Sequence, residues 1–324
     1  MKIYFIFIII FLFIWGCDTT ENPINDNSTF YKVVYISNGQ VNIINSDGTN
    51  NQIITSSNNW NYRPVFNKDK TKIVFESYRD DDYEIYLVNS DGSSEMRLTN
   101  RIGIDENPSF SPDGSKVIFS SADHNICTID LVTYNETKLT DNGYDGLPTY
   151  SPNGNKIAFI HKDSSHTFQN LYIMDSDGQN KQQLTTPFRD AVSPSFSSDG
   201  KYITFVASDQ QLFVYDLLNN NYRILPIDSM KVGFPLFTPD NSKIVFQGLV
   251  WPNCDIYSID PDGSNLTMLT DSTASDFGPK ISDKGDKIIW EVMGSRFINI
   301  YIMDINGNNK KQLTIGNNDH DPSF

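Results

Sequence analysis

Two kinds of short apolar run recur along the chain, separated by residues that turn a backbone. The first kind follows a lysine, at Lys72-Ile73-Val74-Phe75, Lys116-Val117-Ile118-Phe119, Lys156-Ile157-Ala158-Phe159, Lys243-Ile244-Val245-Phe246 and Lys287-Ile288-Ile289-Trp290. The second appears at Ile85-Tyr86-Leu87-Val88, Leu171-Tyr172-Ile173-Met174, Ile256-Tyr257-Ser258-Ile259 and Ile300-Tyr301-Ile302-Met303. Neither alternates between apolar and polar positions, so each strand needs cover on both faces, as when sheets stack around an axis. Asp47-Gly48, Asp91-Gly92, Asp177-Gly178, Asp262-Gly263 and Asn306-Gly307 follow as hairpin signals. A short fourth strand is expected at Ile54-Thr55, Leu98-Thr99, Leu139-Thr140, Leu184-Thr185, Leu269-Thr270 and Leu313-Thr314.

A proline stands two residues before a bulky apolar residue at Pro64/Phe66, Pro108/Phe110, Pro148/Tyr150, Pro194/Phe196, Pro235/Phe237, Pro279/Ile281 and Pro322/Phe324. Neighbouring prolines are 44, 40, 46, 41, 44 and 43 residues apart, the period of a four-stranded propeller blade. Proline donates nothing to a ladder and is tolerated at the first residue of a strand. The residue two further on shares its face of the pleat and is expected to wedge between blades. Pro112-Asp113-Gly114 then reverses the chain, because proline presets the bend and glycine accepts positive φ. The unit from Lys32 to Thr55 lacks a Pro-x-Phe strand, whereas the chain ends on one, Asp321-Pro322-Ser323-Phe324. The expectation is an all-β, seven-bladed β-propeller of four-stranded antiparallel blades, closed by pairing of the C-terminal strand with the N-terminal blade.

The repeat resembles the Pro-Asp, WD-like repeats of the TolB-type propeller family from about Tyr31 to Phe324. That resemblance implies the fold. It does not select a function, because the same repeat serves periplasmic binding proteins and the propeller parts of some peptidases and polysaccharide lyases. TolB itself carries an α/β domain before a six-bladed propeller, so a role in the Tol system is not implied here.

Met1-Lys2 followed by an apolar run from Ile3 to Trp15 has the form of a secretory leader. Ile14-Trp15-Gly16-Cys17 resembles a bacterial lipobox, which would make Cys17 the acylated residue. Residues 1–16 are therefore expected to be a lipoprotein signal peptide, 17–30 a flexible tether and 31–324 the propeller. The expected location is the bacterial cell envelope, lipid-anchored outside the cytoplasmic membrane, with the N-terminal lipid the only membrane contact. Cys127 and Cys254 fall in separate blades, so no disulfide is expected between them. A net charge of −15 argues against nucleic acid and against an anionic lipid surface, and makes a basic partner the easier match.

Connections from second to third strands vary widely and share one end of the propeller with those leading into the next blade, so a binding site is expected there. Asp105, Asp145, Asp276 and Asp319 each lie three residues before the blade proline, and Asp190 lies four before it. Asn61 and Val232 break the series. Two readings of these aspartates stand side by side: an acidic channel mouth for a cationic ligand, and turn caps required by the fold. Trp60, Tyr144 and Trp251 are candidate aromatic anchors beside them. His124, His161, His166 and His320 lie at the same end, but with Asp123 and Asp163 they match no standard ligand spacing, so no metal and no cofactor is expected. No Gly-x-Ser-x-Gly or His-Glu-x-x-His motif is present. The function expected is that of a monomeric, non-catalytic binding or scaffold propeller for an envelope protein, peptide or small ligand. The alternatives are a lyase-type carbohydrate-active enzyme and a sensor subunit of an envelope complex.

Overall fold

The computed structural model describes residues 30–324 apart from 56–58, 80, 142, 164–167, 186–190 and 228–229. The leader, Cys17, His166 and Asp190 lie outside the described residues. Seven four-stranded antiparallel sheets are arranged as the repeat anticipates. The inner strands of blades 2 to 7 are Trp60–Phe66, Glu106–Phe110, Asp145–Tyr150, Val192–Phe196, Lys231–Phe237 and Ser275–Ile281. Blade 1 is composite: its inner strand is the C-terminal Asp319–Ser323, paired with Lys32–Ser37 through Val34↔Ser323, Ile36↔His320 and Ser37↔Asp319. Phe324 completes the clasp. It is buried with Val33, Tyr35, Ile44, Ile289 and Ile300, and its ring meets Tyr31 edge-on at 5.5 Å.

The non-alternating strands are covered on both faces. Ile73 and Phe75 pack with Val34, Ile36, Val41 and Ile43 of blade 1, while Val74 packs with Val117, Phe119 and Cys127 of blade 3. Each such side chain contributes about 1.5–3 kcal/mol by leaving water, so the blades cohere through their apolar faces. Cys127 and Cys254 are both free and buried.

The fourth strands differ from expectation in register. They fall at Gln52–Ile53, Met96–Arg97, Glu136–Lys138, Gln182–Gln183, Asn221–Ile224, Thr267–Met268 and Lys311–Gln312, just before the apolar-Thr pairs. The pair has its own task. In six blades the threonine hydroxyl accepts an N–H from the start of the third strand, as Thr140 does from Ile126 at 2.9 Å and Thr99 from Ile85 at 2.9 Å. Blade 5, with Leu225-Pro226 at that place, lacks the hydroxyl.

The inner strands carry a feature the sequence pattern conceals. In every blade the residue directly before the proline has positive φ: Arg63, Asn107, Leu147, Ser193, Phe234, Gly278 and Asp321 lie between 48° and 57°. The ladder register shifts at each of these places, so each is a β-bulge. Proline after the bulge bars the ordinary helical conformation at that residue, and an extra residue re-aims the side chains beside the axis.

Candidate functional site

The two ends of the propeller are unlike. One end holds the stereotyped turns from first to second and from third to fourth strands. There Asp113 Oδ1 accepts from the Ser111 and Ser115 hydroxyls and from the Ser115 N–H, and Gly114 takes φ of 71°. The other end holds the irregular connections and most of the unburied aromatic surface: Trp251 is 86% exposed and Trp60 63%, with Tyr78, Tyr144, Phe234 and Phe297 also exposed.

Asp105, Asp145, Asp276 and Asp319 lie near that end but inside its walls, none more than 3% exposed. Asp105 accepts the Ala122 N–H at 2.8 Å and lies 3.5 Å from Arg101 Nε. Burial outweighs both contacts and pushes its carboxyl up to about 6. Asp145 Oδ1 stands 2.7 Å from His161 Nδ1. Burial also raises the Asp276 carboxyl, with the neighbouring Thr270 and Trp290 side chains opposing. Burial, helped by the charge of Asp319, pushes the Tyr35 phenol up to about 12. At the matching positions Asn61 donates to Gly39 O at 2.6 Å, and Val232 and Ala191 are buried. These side chains tie the rim to the walls from within.

A cavity of about 470 Å³ opens beside them. Leu147, Ile160 and Val192 give it apolar lining; His124, Tyr144, Lys162 and Gln169 give it polar groups; Arg63, Glu106 and Asn107 reach it from blades 2 and 3. Of the expected residues, Tyr144 and Asp145 line this cavity, while Trp60 and Trp251 stand exposed elsewhere on the loop end.

The charged groups converging on the channel are others. Glu76 Oε1 accepts the Asn107 N–H at 2.7 Å and Arg63 Nη1 at 3.1 Å, and Arg63 Nη1 also reaches Asn107 Oδ1 at 3.1 Å. Glu291 Oε1 accepts the Asp321 N–H at 2.8 Å, and Asp321 Oδ2 accepts the Arg63 N–H at 3.0 Å. A chain of bulge amides and carboxylates therefore runs through blades 7, 1, 2 and 3. Burial pushes the Glu76 and Glu291 carboxyls up, even though Arg63 opposes this at Glu76. Burial would also raise Asp321, but His320 and the Arg63 N–H reverse it and hold the carboxyl low. His320, 3.1 Å from Asp321 Oδ2, is raised despite burial. Loss of surrounding water holds Lys280 below the usual lysine range, with Asp321 and Glu291 opposing.

Glu76 and Glu291 were absent from the sequence-derived candidates, although a signal existed. The residue after the second-strand apolar run is Glu76, Ser120, Ile160, Val206, Gln247 and Glu291 in blades 2 to 7. Four are polar, and each of these four accepts the bulge N–H of the following blade. The three described histidines do not assemble: His124 lines the cavity, His161 is held by Asp145 and His320 by Asp321. Among the described residues no three His, Cys, Asp or Glu side chains are grouped as a metal ion requires.

Fold and site together define a closed seven-bladed propeller with an irregular, aromatic-rich loop end. The chain belongs to the TolB β-propeller domain family, whose model matches residues 32–184 and 155–324. Solved structures of the same fold include a putative TolB from Agrobacterium tumefaciens, 21% identical, with 68% of this chain and 84% of that one covered at a TM-score of 0.55. An oligogalacturonate lyase in complex with manganese is 16% identical, with 88% and 83% covered at 0.68. The β-propeller domain of the trilobed protease from Pyrococcus furiosus, which has an open velcro topology, is 15% identical, with 86% and 88% covered at 0.66. At these identities the likeness is one of fold.

Proposed function

We propose that this protein is a binding propeller of the bacterial cell envelope that recognises an envelope protein or peptide through its loop end, without catalysis. The observation that supports this most is the coincidence of a cavity of about 470 Å³ with exposed aromatic side chains on the one end built from irregular connections. Exposed tryptophan and tyrosine supply contact area at low entropic cost, and a rigid propeller holds them in fixed relation. Asp105, Asp145, Asp276 and Asp319 act in this reading from beneath the rim, with Asp145 holding His161 at 2.7 Å next to the segment that carries Tyr144. Membership of the TolB propeller family agrees with a periplasmic or surface location. Acylation of Cys17 would tether a monomeric propeller there.

Capture from solubilised envelopes tests the reading. The full chain should retain a discrete protein or peptide that a Tyr144→Ala, Trp251→Ala double variant loses. Equal capture by both proteins would exclude the loop end. Turnover of an acidic oligosaccharide by the purified chain, lost on His124→Ala, would replace this reading with a lyase.

A further inference from the structure

Beyond the cavity, a run of rings connects the loop end to the channel. Trp60 and Tyr78 are cross-strand partners, and Tyr78 lies 4.9 Å from Tyr83 between centroids. Tyr83 lies 5.8 Å from Tyr62, and Tyr62 lies 5.9 Å from His320. His320 then contacts Asp321, whose carboxylate meets the Arg63 N–H. Trp60 and Tyr78 are exposed at the outer end, while Tyr62, Tyr83 and His320 are half-buried.

We infer that this aromatic run and the charged channel segment it enters form a docking site for the lysine or arginine side chains of a partner peptide. The inference rests on the loop end being the binding end and names the chemistry of what binds there. Aromatic faces carry negative electrostatic potential and attract ammonium and guanidinium groups. Asp81 and Asp82 stand beside Tyr83 in the outer connection. Inside, the four acidic side chains Glu76, Glu106, Glu291 and Asp321 outnumber the three basic ones, Arg63, Lys280 and His320. Burial leaves Glu76 and Glu291 with carboxyls above their ordinary range, so the channel's own cations do not fully compensate them and an entering cation would. The chain as a whole carries −15, which draws the same ligand from a distance and repels an acidic one.

Fluorescence anisotropy with the full chain and labelled oligoarginine or oligoglutamate peptides tests this. Oligoarginine should bind and oligoglutamate should not. Trp60→Ala and Glu291→Gln should each weaken oligoarginine about tenfold. Asp177→Asn, which removes a charge from the tight-turn end, should leave it unchanged. Equal weakening by Asp177→Asn and Glu291→Gln would reduce the attraction to net charge and overturn the inference. Should Glu291→Gln fail to fold, the exposed Trp60→Ala and Tyr78→Ala decide, and unchanged affinity in both overturns it. Envelope capture that persists without specific oligoarginine binding would overturn this inference alone and leave the binding role standing.

Discussion

Asp105 offers a quantitative test of how the rim is built. Its carboxyl is completely buried and titrates at about 6 in the fold, against an ordinary 3.8. The folded state therefore holds a proton more tightly than the unfolded chain. Below about pH 4 both states are protonated and the group costs nothing. As pH rises through that range the unfolded chain ionises first, and stability falls until the folded group ionises near 6. The gap corresponds to about 3 kcal/mol lost by neutral pH. Asparagine mimics the protonated acid, and blade 2 already uses Asn61 at the equivalent position, bonded to Gly39 O at 2.6 Å. Asp105→Asn should accordingly be more stable than the parent at pH 7, by up to about 3 kcal/mol, with the difference vanishing below pH 4. Urea unfolding followed by tryptophan fluorescence between pH 3.5 and about 7.5 measures it. An asparagine variant less stable at pH 7 would mean instead that Arg101 and the Ala122 N–H offset the buried charge in full.

Phe324→Ala should destabilise the protein by about 3–5 kcal/mol, since it empties a buried site in the strand that closes the ring; thermal unfolding monitors the loss. Thr140→Val keeps the volume but leaves the Ile126 N–H without its 2.9 Å acceptor, and should cost about 1–3 kcal/mol in denaturant unfolding. Trp251→Ala, at a side chain 86% exposed, should leave stability within about 0.5 kcal/mol of the parent while reducing envelope capture.

The blade count, the strand directions and the composite first blade were legible because each rests on a local rule. Proline begins a strand, Asp-Gly or Asn-Gly turns it, and a run apolar at every position must be covered on both sides. The fourth strand was displaced because Leu-Thr looks like a β-strand end, whereas its threonine is used as a hydroxyl acceptor for the third strand. The bulges at Arg63, Asn107, Leu147, Ser193, Phe234, Gly278 and Asp321 were not legible, since positive φ there falls on residues with no common side chain. The site was legible only in part. Trp60, Tyr144 and Trp251 do stand at the loop end, and Tyr144 reaches the cavity. The repeated aspartates drew notice by their periodicity, and periodicity marks what every blade shares. Glu76 and Glu291 break the pattern at a position held elsewhere by serine, glutamine, isoleucine or valine, and such departures set one sector of the channel apart from the rest.

Partners are expected to meet the irregular end of the propeller. A photo-crosslinking residue placed at Trp251 on that end, or at Val132 on the tight-turn end where the side chain is 83% exposed, tests it directly in intact envelopes. A discrete adduct is expected from position 251 and none from position 132. Adducts from position 132 alone, or the same adduct from both, would contradict it.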